Sequence, residues 1–128
     1  LRKVTTPGET AGMVRDLLPD DGREHFGMLM LNVKLRVIGW HAVSVGTLNN
    51  TLVHPREIFG PALRTPGVAS IILAHNHPSG EREPSKEDIE LTERLVRVGE
   101  IHDLNVCDHV IIANGTDGYF SFTEKGLI

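Results

Sequence analysis

The chain has 128 residues, a formal net charge of −4 at pH 7, and 40% hydrophobic and 23% charged residues. This fits one domain with a core of its own, excludes a disordered chain, and lacks the basic footprint of a dedicated nucleic-acid binder. The lone cysteine, Cys107, excludes a disulfide framework and a cysteine-built zinc finger; no apolar run approaches the ~18 residues of a membrane span, and no secretory leader pattern is present, so a cytoplasmic location is expected.

Thr6-Pro7-Gly8-Glu9 reads as a helix start, with Thr6 capping, Pro7 in the first turn and Glu9 three residues after the cap. That helix should run through Met13, Val14, Leu17 and Leu18 and stop before Pro19. Phe26–Leu31 and Leu35–Val45 read as strands joined by a hairpin at Asn32-Val33-Lys34. His54-Pro55-Arg56-Glu57 opens a second helix, in which Pro61 predicts a kink or an early end. Val68–Ala74 is almost wholly apolar, as in a central strand buried on both faces. Pro84-Ser85-Lys86-Glu87-Asp88 starts the longest helix, with Ile89, Leu91, Leu95, Val96, Val98 and Ile101 as its apolar positions. A strand over Asn105–Ala113, a turn at Asn114–Gly118 and a last strand over Tyr119–Phe122 complete the chain. Helices alternate with strands through the middle and hairpins lie at both ends, which predicts an α/β fold with a mixed sheet covered on both faces.

The chemistry concentrates in Ala74-His75-Asn76-His77-Pro78-Ser79-Gly80, followed by Ser85 and Asp88. Two residues apart on extended chain, His75 and His77 project to the same side, at the strand end where open α/β sheets place ligands. Asp88, in the first turn of the next helix, can fold back over the pair. Two imidazoles and a carboxylate leave one position open, the arrangement of a catalytic zinc with water as fourth ligand. Zinc brings the pKa of that water to about 7, and a nearby glutamate is then needed to relay its proton. Glu24, Glu57, Glu81 and Glu83 are all candidates on chemistry alone. Ser85-x-x-Asp88 is also an ordinary capping box, and a capping serine can serve both purposes.

Other polar residues carry weaker signals. His54 and Arg56 start a helix, where a polar residue caps or is solvated unless it reaches the site. Asp108-His109 reads either as a carboxylate orienting an imidazole behind a metal ligand or as a buried pair within a strand. Gly80 permits a positive φ in its loop. His25, His41 and His102 are assigned no role. Arg82, Arg94 and Arg97 are interleaved with Glu87, Glu90, Glu93 and Glu100, so they form no nucleic-acid patch.

His75-x-His77, seven residues, then Ser85-x-x-Asp88 resembles the JAMM metalloprotease motif. Val53-His54-Pro55-Arg56-Glu57, the Ile72–Gly80 segment, Asp108-His109-Val110-Ile111-Ile112 and Tyr119-Phe120-Ser121-Phe122 resemble the bacterial RadC family over nearly the whole chain. The resemblance implies a three-layer α/β/α architecture of the cytidine-deaminase-like (JAMM/MPN) type, in a single domain, residues 1–128. It identifies that domain with the C-terminal part of a longer protein, in keeping with a chain that opens at Leu1 rather than Met. It also implies one Zn²⁺ held by His75, His77 and Asp88, with Ser85 steadying the water or the developing oxyanion. Among the acids it selects Glu24, since Arg23-Glu24-His25-Phe26 matches the position of the JAMM glutamate on an early strand. Asn76 departs from the hydroxyl residue that JAMM peptidases often carry between the histidines, which leaves the ligands intact and the substrate class open.

The implied function is that of a zinc-dependent hydrolase of metallopeptidase or isopeptidase type, acting on an unidentified peptide or protein. The alternative is a non-catalytic metal-binding accessory domain of a DNA-repair-associated or mobile-element protein. Longer RadC members carry an N-terminal helix-hairpin-helix-like region, to which any DNA contact is assigned rather than to this acidic domain. A nucleobase deaminase would need H-x-E and P-C-x-x-C signatures, and with Cys107 alone the second is absent.

Overall fold

In the computed structural model, which describes residues 1–46 and 53–128, the elements follow in the order α1 (Pro7–Leu17), β1 (His25–Leu31), β2 (Val37–Val45), α2 (Pro55–Arg64), β3 (Ser70–His77), α3 (Lys86–Ile101), β4 (Asn105–Ala113) and β5 (Tyr119–Ser121). The strands form one five-stranded sheet in the order β2-β1-β3-β4-β5. Only the β3–β4 pair is parallel, with α3 as its crossover; the others are antiparallel. A parallel pair needs a long connection, and α3 supplies it over the face that carries the histidines.

The side-chain period of two divides the core into layers. Phe26, Met28, Met30, Ile71, Leu73 and Val106 face α2 and α3, where Ile58, Phe59, Leu91 and Leu95 meet them. Leu29, Leu31, Ile72, Ala74, Val110 and Ile112 face the other way, onto Ala11, Val14 and Leu18. The expected α/β/α layering is therefore present. Each large side chain fully removed from water contributes about 1.5–3 kcal/mol, and both faces of the central strands contribute. At Gly27 an added Cβ would stand 2.3 Å from the Trp40 ring, so only glycine admits that ring beside the register shift at Phe26/Gly27, where β2 carries the extra residue, Val43.

Thr6 caps α1 as expected, its hydroxyl accepting the Glu9 N–H at 3.1 Å. Other elements depart from the pattern. Leu35 belongs to the hairpin turn, at φ 59°, because the Asn32 side chain accepts both the Lys34 and Arg36 amides and fixes a tight loop ahead of β2. α2 continues through Pro61 to Arg64, since Ile58, Phe59 and Ala62 bury their side chains on either side of it. β3 starts at Ser70 and reaches His77, so both histidines stand on the strand itself. Ile101 is 81% exposed; the buried stripe of α3 is Asp88, Leu91, Thr92, Leu95 and Gly99, and a residue two past Gly99 points about 200° away from it. Among the described residues, no helix is long and apolar enough to cross a membrane.

Candidate metal centre

Antiparallel pairing of β1 with β3 sets Phe26 opposite His75, and two residues further along that register Glu24 stands beside His77. α3 brings Asp88 over the same spot. Ser85 and Asp88 form a reciprocal capping box: Ser85 Oγ accepts the Asp88 amide at 3.0 Å, and Asp88 Oδ2 accepts the Ser85 amide at 2.9 Å. The carboxylate is thus fixed at a helix N-terminus, where the dipole favours negative charge, and Oδ2 still faces the histidines. One carboxylate thus serves the capping box and still reaches the histidines.

His75 Nε2 and His77 Nε2 are 3.1 Å apart, and Asp88 Oδ2 lies 3.5 Å from the first and 3.3 Å from the second. Around a tetrahedral zinc with ligands at 2.0–2.1 Å, neighbouring donor atoms stand about 3.3–3.4 Å apart. The three atoms therefore already occupy one face of such a tetrahedron. His77 Nδ1 is 2.9 Å from the Glu81 carbonyl, which can only accept, so His77 carries its proton on Nδ1 and turns a lone pair on Nε2 toward the centre. Lone pairs crowded this closely call for a cation, and the donor set fits zinc.

Glu24 Oε1 is 3.8 Å from His77 Nε2, and Glu24, His75 and His77 together form a cluster of ligand atoms within 4.8 Å that can hold a metal ion. At 3.8 Å from His77 Nε2, Glu24 Oε1 lies beyond the edge length set by the other three. The site opens into a cleft of about 660 Å³ whose wall includes Glu24, His77, Ser79, Glu81 and Ser85. Gly80 at φ 85° turns the loop there, with the Asn114 carbonyl 3.2 Å from where a Cβ would stand.

Protonation follows the geometry. Burial works against a charged His77, but the Asp88 carboxylate, the Glu81 carbonyl and Glu24 outweigh it and leave its pKa raised. Burial likewise opposes ionisation of Asp88, yet the His75 and His77 rings beside it, able to donate to it when protonated, the positive charge His75 then carries and the Ser85 amide hold it well below the usual carboxylate range. His109 is wholly buried, and burial first, then the neighbouring His75, keeps it neutral.

The residues named from sequence divide accordingly. Glu24, His75, His77, Ser85 and Asp88 come together. His109 stands behind His75, its Nε2 2.7 Å from His75 Nδ1. Asp108 does not orient that ring: neighbours on a strand face opposite ways, and its carboxylate accepts instead from Ser121 Oγ at 2.6 Å, the Thr123 amide at 3.0 Å and the backbone amide of His109 at 2.7 Å. His54 is the N-cap of α2, makes no side-chain cap bond and is not part of the cleft wall. The contacts of two further residues are not readable from the sequence. Thr92 hydrogen-bonds the second nitrogen of His109 at 2.6 Å; its signal was a hydroxyl four residues after Asp88 in the buried stripe. Asn76 turns away from the metal face and brackets Glu24, its Oδ1 accepting the His25 amide at 2.7 Å and its Nδ2 donating to the Arg23 carbonyl at 2.9 Å. The spacer between the histidines thus positions the glutamate and faces away from the ligands.

A family model described as a RadC-like JAB domain matches residues 4–127. Among similar proteins, a UPF0758 protein of Rubrobacter xylanophilus is 46% identical over 98% of this chain and 53% of its own length. Those of Desulforamulus reducens and Desulforudis audaxviator are 48% and 50% identical, over 98% and 97% of this chain and 54% and 53% of their own lengths. The chain spans about half the length of these relatives.

Proposed function

This chain belongs to the RadC-like JAB domain family, and from that premise we propose that it is a zinc-dependent hydrolase of metallopeptidase or isopeptidase type. The observation that carries the reading is the triangle of His75 Nε2, His77 Nε2 and Asp88 Oδ2 at 3.1–3.5 Å, with a carboxylate beyond it at the cleft. Zinc bound there supplies a Lewis acid for a carbonyl and lowers the pKa of water to about 7.

The chain's own residues do the rest. Glu24 takes the proton from water and delivers it to the leaving nitrogen, the two halves of general base and general acid catalysis. Ser85 keeps its O–H to donate to the carbonyl oxygen as negative charge develops, while its lone pair caps α3. The cleft beside them accepts a peptide or protein segment as substrate, and no nucleic-acid contact is assigned to this acidic chain.

Glu24→Gln tests the reading with a panel of peptide and isopeptide substrates. Zinc content should stay near one per chain while cleavage falls by about 10²–10⁴-fold. Cleavage that survives the substitution removes Glu24 from the mechanism. Retained zinc with no substrate cleaved by the wild type would favour the non-catalytic accessory reading.

A further inference from the structure

Behind the centre lies a chain of buried polar groups that the hydrolytic steps do not use. His75 Nδ1 is 2.7 Å from His109 Nε2. His109 Nδ1 is 2.6 Å from Thr92 Oγ1, and Thr92 Oγ1 is 2.7 Å from the carbonyl oxygen of Asp88. His75, His109 and Thr92 are each at most 1% exposed. The His109 ring is stacked on Phe122 at 4.8 Å with an 8° interplanar angle and meets Phe26 edge-on at 5.5 Å, which fixes its plane.

The direction of every proton in this chain is set at its far end. A carbonyl can only accept, so the Thr92 hydroxyl donates to Asp88 and accepts from His109 Nδ1–H. A neutral imidazole with its proton on Nδ1 has a lone pair on Nε2, so His109 accepts from His75 Nδ1–H. His75 is then left with its lone pair on Nε2, the atom aimed at Asp88 Oδ2 and His77. The path returns to where it began, because Asp88 supplies both the carbonyl that ends the chain and the carboxylate beside His75.

We infer that Thr92 and His109 are positioning residues for the metal: they hold His75 as the Nδ1–H tautomer and lock its ring to α3, so that Nε2 is ready to ligate before any ion arrives. The inference rests on the metal-centre reading and goes beyond it by assigning the groups that set one ligand's tautomer. Neighbours that orient a ligand in this way are typically worth 10–100-fold in metal affinity.

The experiment uses Zn²⁺ alone as probe, with affinity measured by chelator competition, together with the side-chain ¹⁵N shifts of His75 in metal-free protein. Wild type should show His75 protonated on Nδ1 without metal. Thr92→Val, which matches the shape of threonine and lacks the hydroxyl, should bind Zn²⁺ about 10-fold more weakly and populate both His75 tautomers. Thr92→Ser should restore wild-type values, and His109→Gln, which can accept from His75 and donate to Thr92, should retain more affinity than His109→Ala. Thr92→Val with wild-type affinity, or a metal-free wild type with His75 protonated on Nε2, overturns this inference and leaves the metal centre standing. A wild type that takes up no Zn²⁺ overturns both.

Discussion

The two histidines that face each other across the candidate centre are held by opposite kinds of wall. His75 is fully buried, and its far nitrogen is gripped by a side chain, His109, that is itself packed between Phe26 and Phe122. His77 keeps 14% of its side chain exposed, and its far nitrogen is gripped by a backbone carbonyl of the loop that follows the strand. The inner wall therefore fixes geometry through packing. The outer wall, where Glu24 and Ser85 also stand, opens into the cleft and stays in reach of solvent.

The sharpest way to break that contrast is to remove the inner ring. His109→Ala should destabilise the metal-free protein by about 3–5 kcal/mol in denaturant titration, through a cavity plus an unpaired donor on His75 and an unpaired acceptor on Thr92. His77→Ala should cost less than about 1 kcal/mol in the same assay, because its site opens to water. Equal losses would mean that the two walls do not differ. Next comes Asn76→Ala, at about 2–3 kcal/mol: it strips partners from the His25 amide, the Arg23 carbonyl and Asn114.

Acid separates the walls by chemistry. The raised pKa of His77 means that, without metal, its protonated form contributes stability that is complete below the ordinary value of about 6.5 and lost as pH rises through the raised one. Zinc needs the neutral ring, so its affinity should fall about tenfold per pH unit below the raised value and level off above it. The thermal shift produced by zinc should accordingly grow with pH through that window, and a flat response would remove His77 from the ligand set. Ser85→Ala ranks last, at about 1 kcal/mol for the lost cap, read from the melting temperature of the metal-free chain.

Much of this outer wall was legible in the sequence. An alternating pair of histidines and a serine-led capping signature are local patterns, whereas Glu24 is one of four acids on chemistry alone, singled out by the family resemblance and brought to His77 by the antiparallel register of β1 on β3. The inner wall was legible only in part. His109 could be suspected from its neighbour Asp108, and of the two readings of that pair the buried one holds, the Asp108 carboxylate accepting the His109 backbone amide while the His109 ring faces the opposite layer. Thr92 and Asn76 act through partners 17, 51 and 53 positions away, and such contacts follow from the packing of whole elements. The left-handed Leu35 and the uninterrupted α2 were missed for a related reason: a side-chain clamp and a buried face outweighed the local preferences of leucine and proline.

The clamp from Asn76 also bears on the order in which the site is assembled. His75, His77 and Asp88 lie within one strand–loop–helix unit, and short loops close at little entropic cost. Glu24 depends on contacts spanning more than fifty positions. His75, His77 and Asp88 can thus come together while Glu24 is still remote. Because the clamp grows from the residue between the two histidines, docking of the first strand is what brings Glu24 to them.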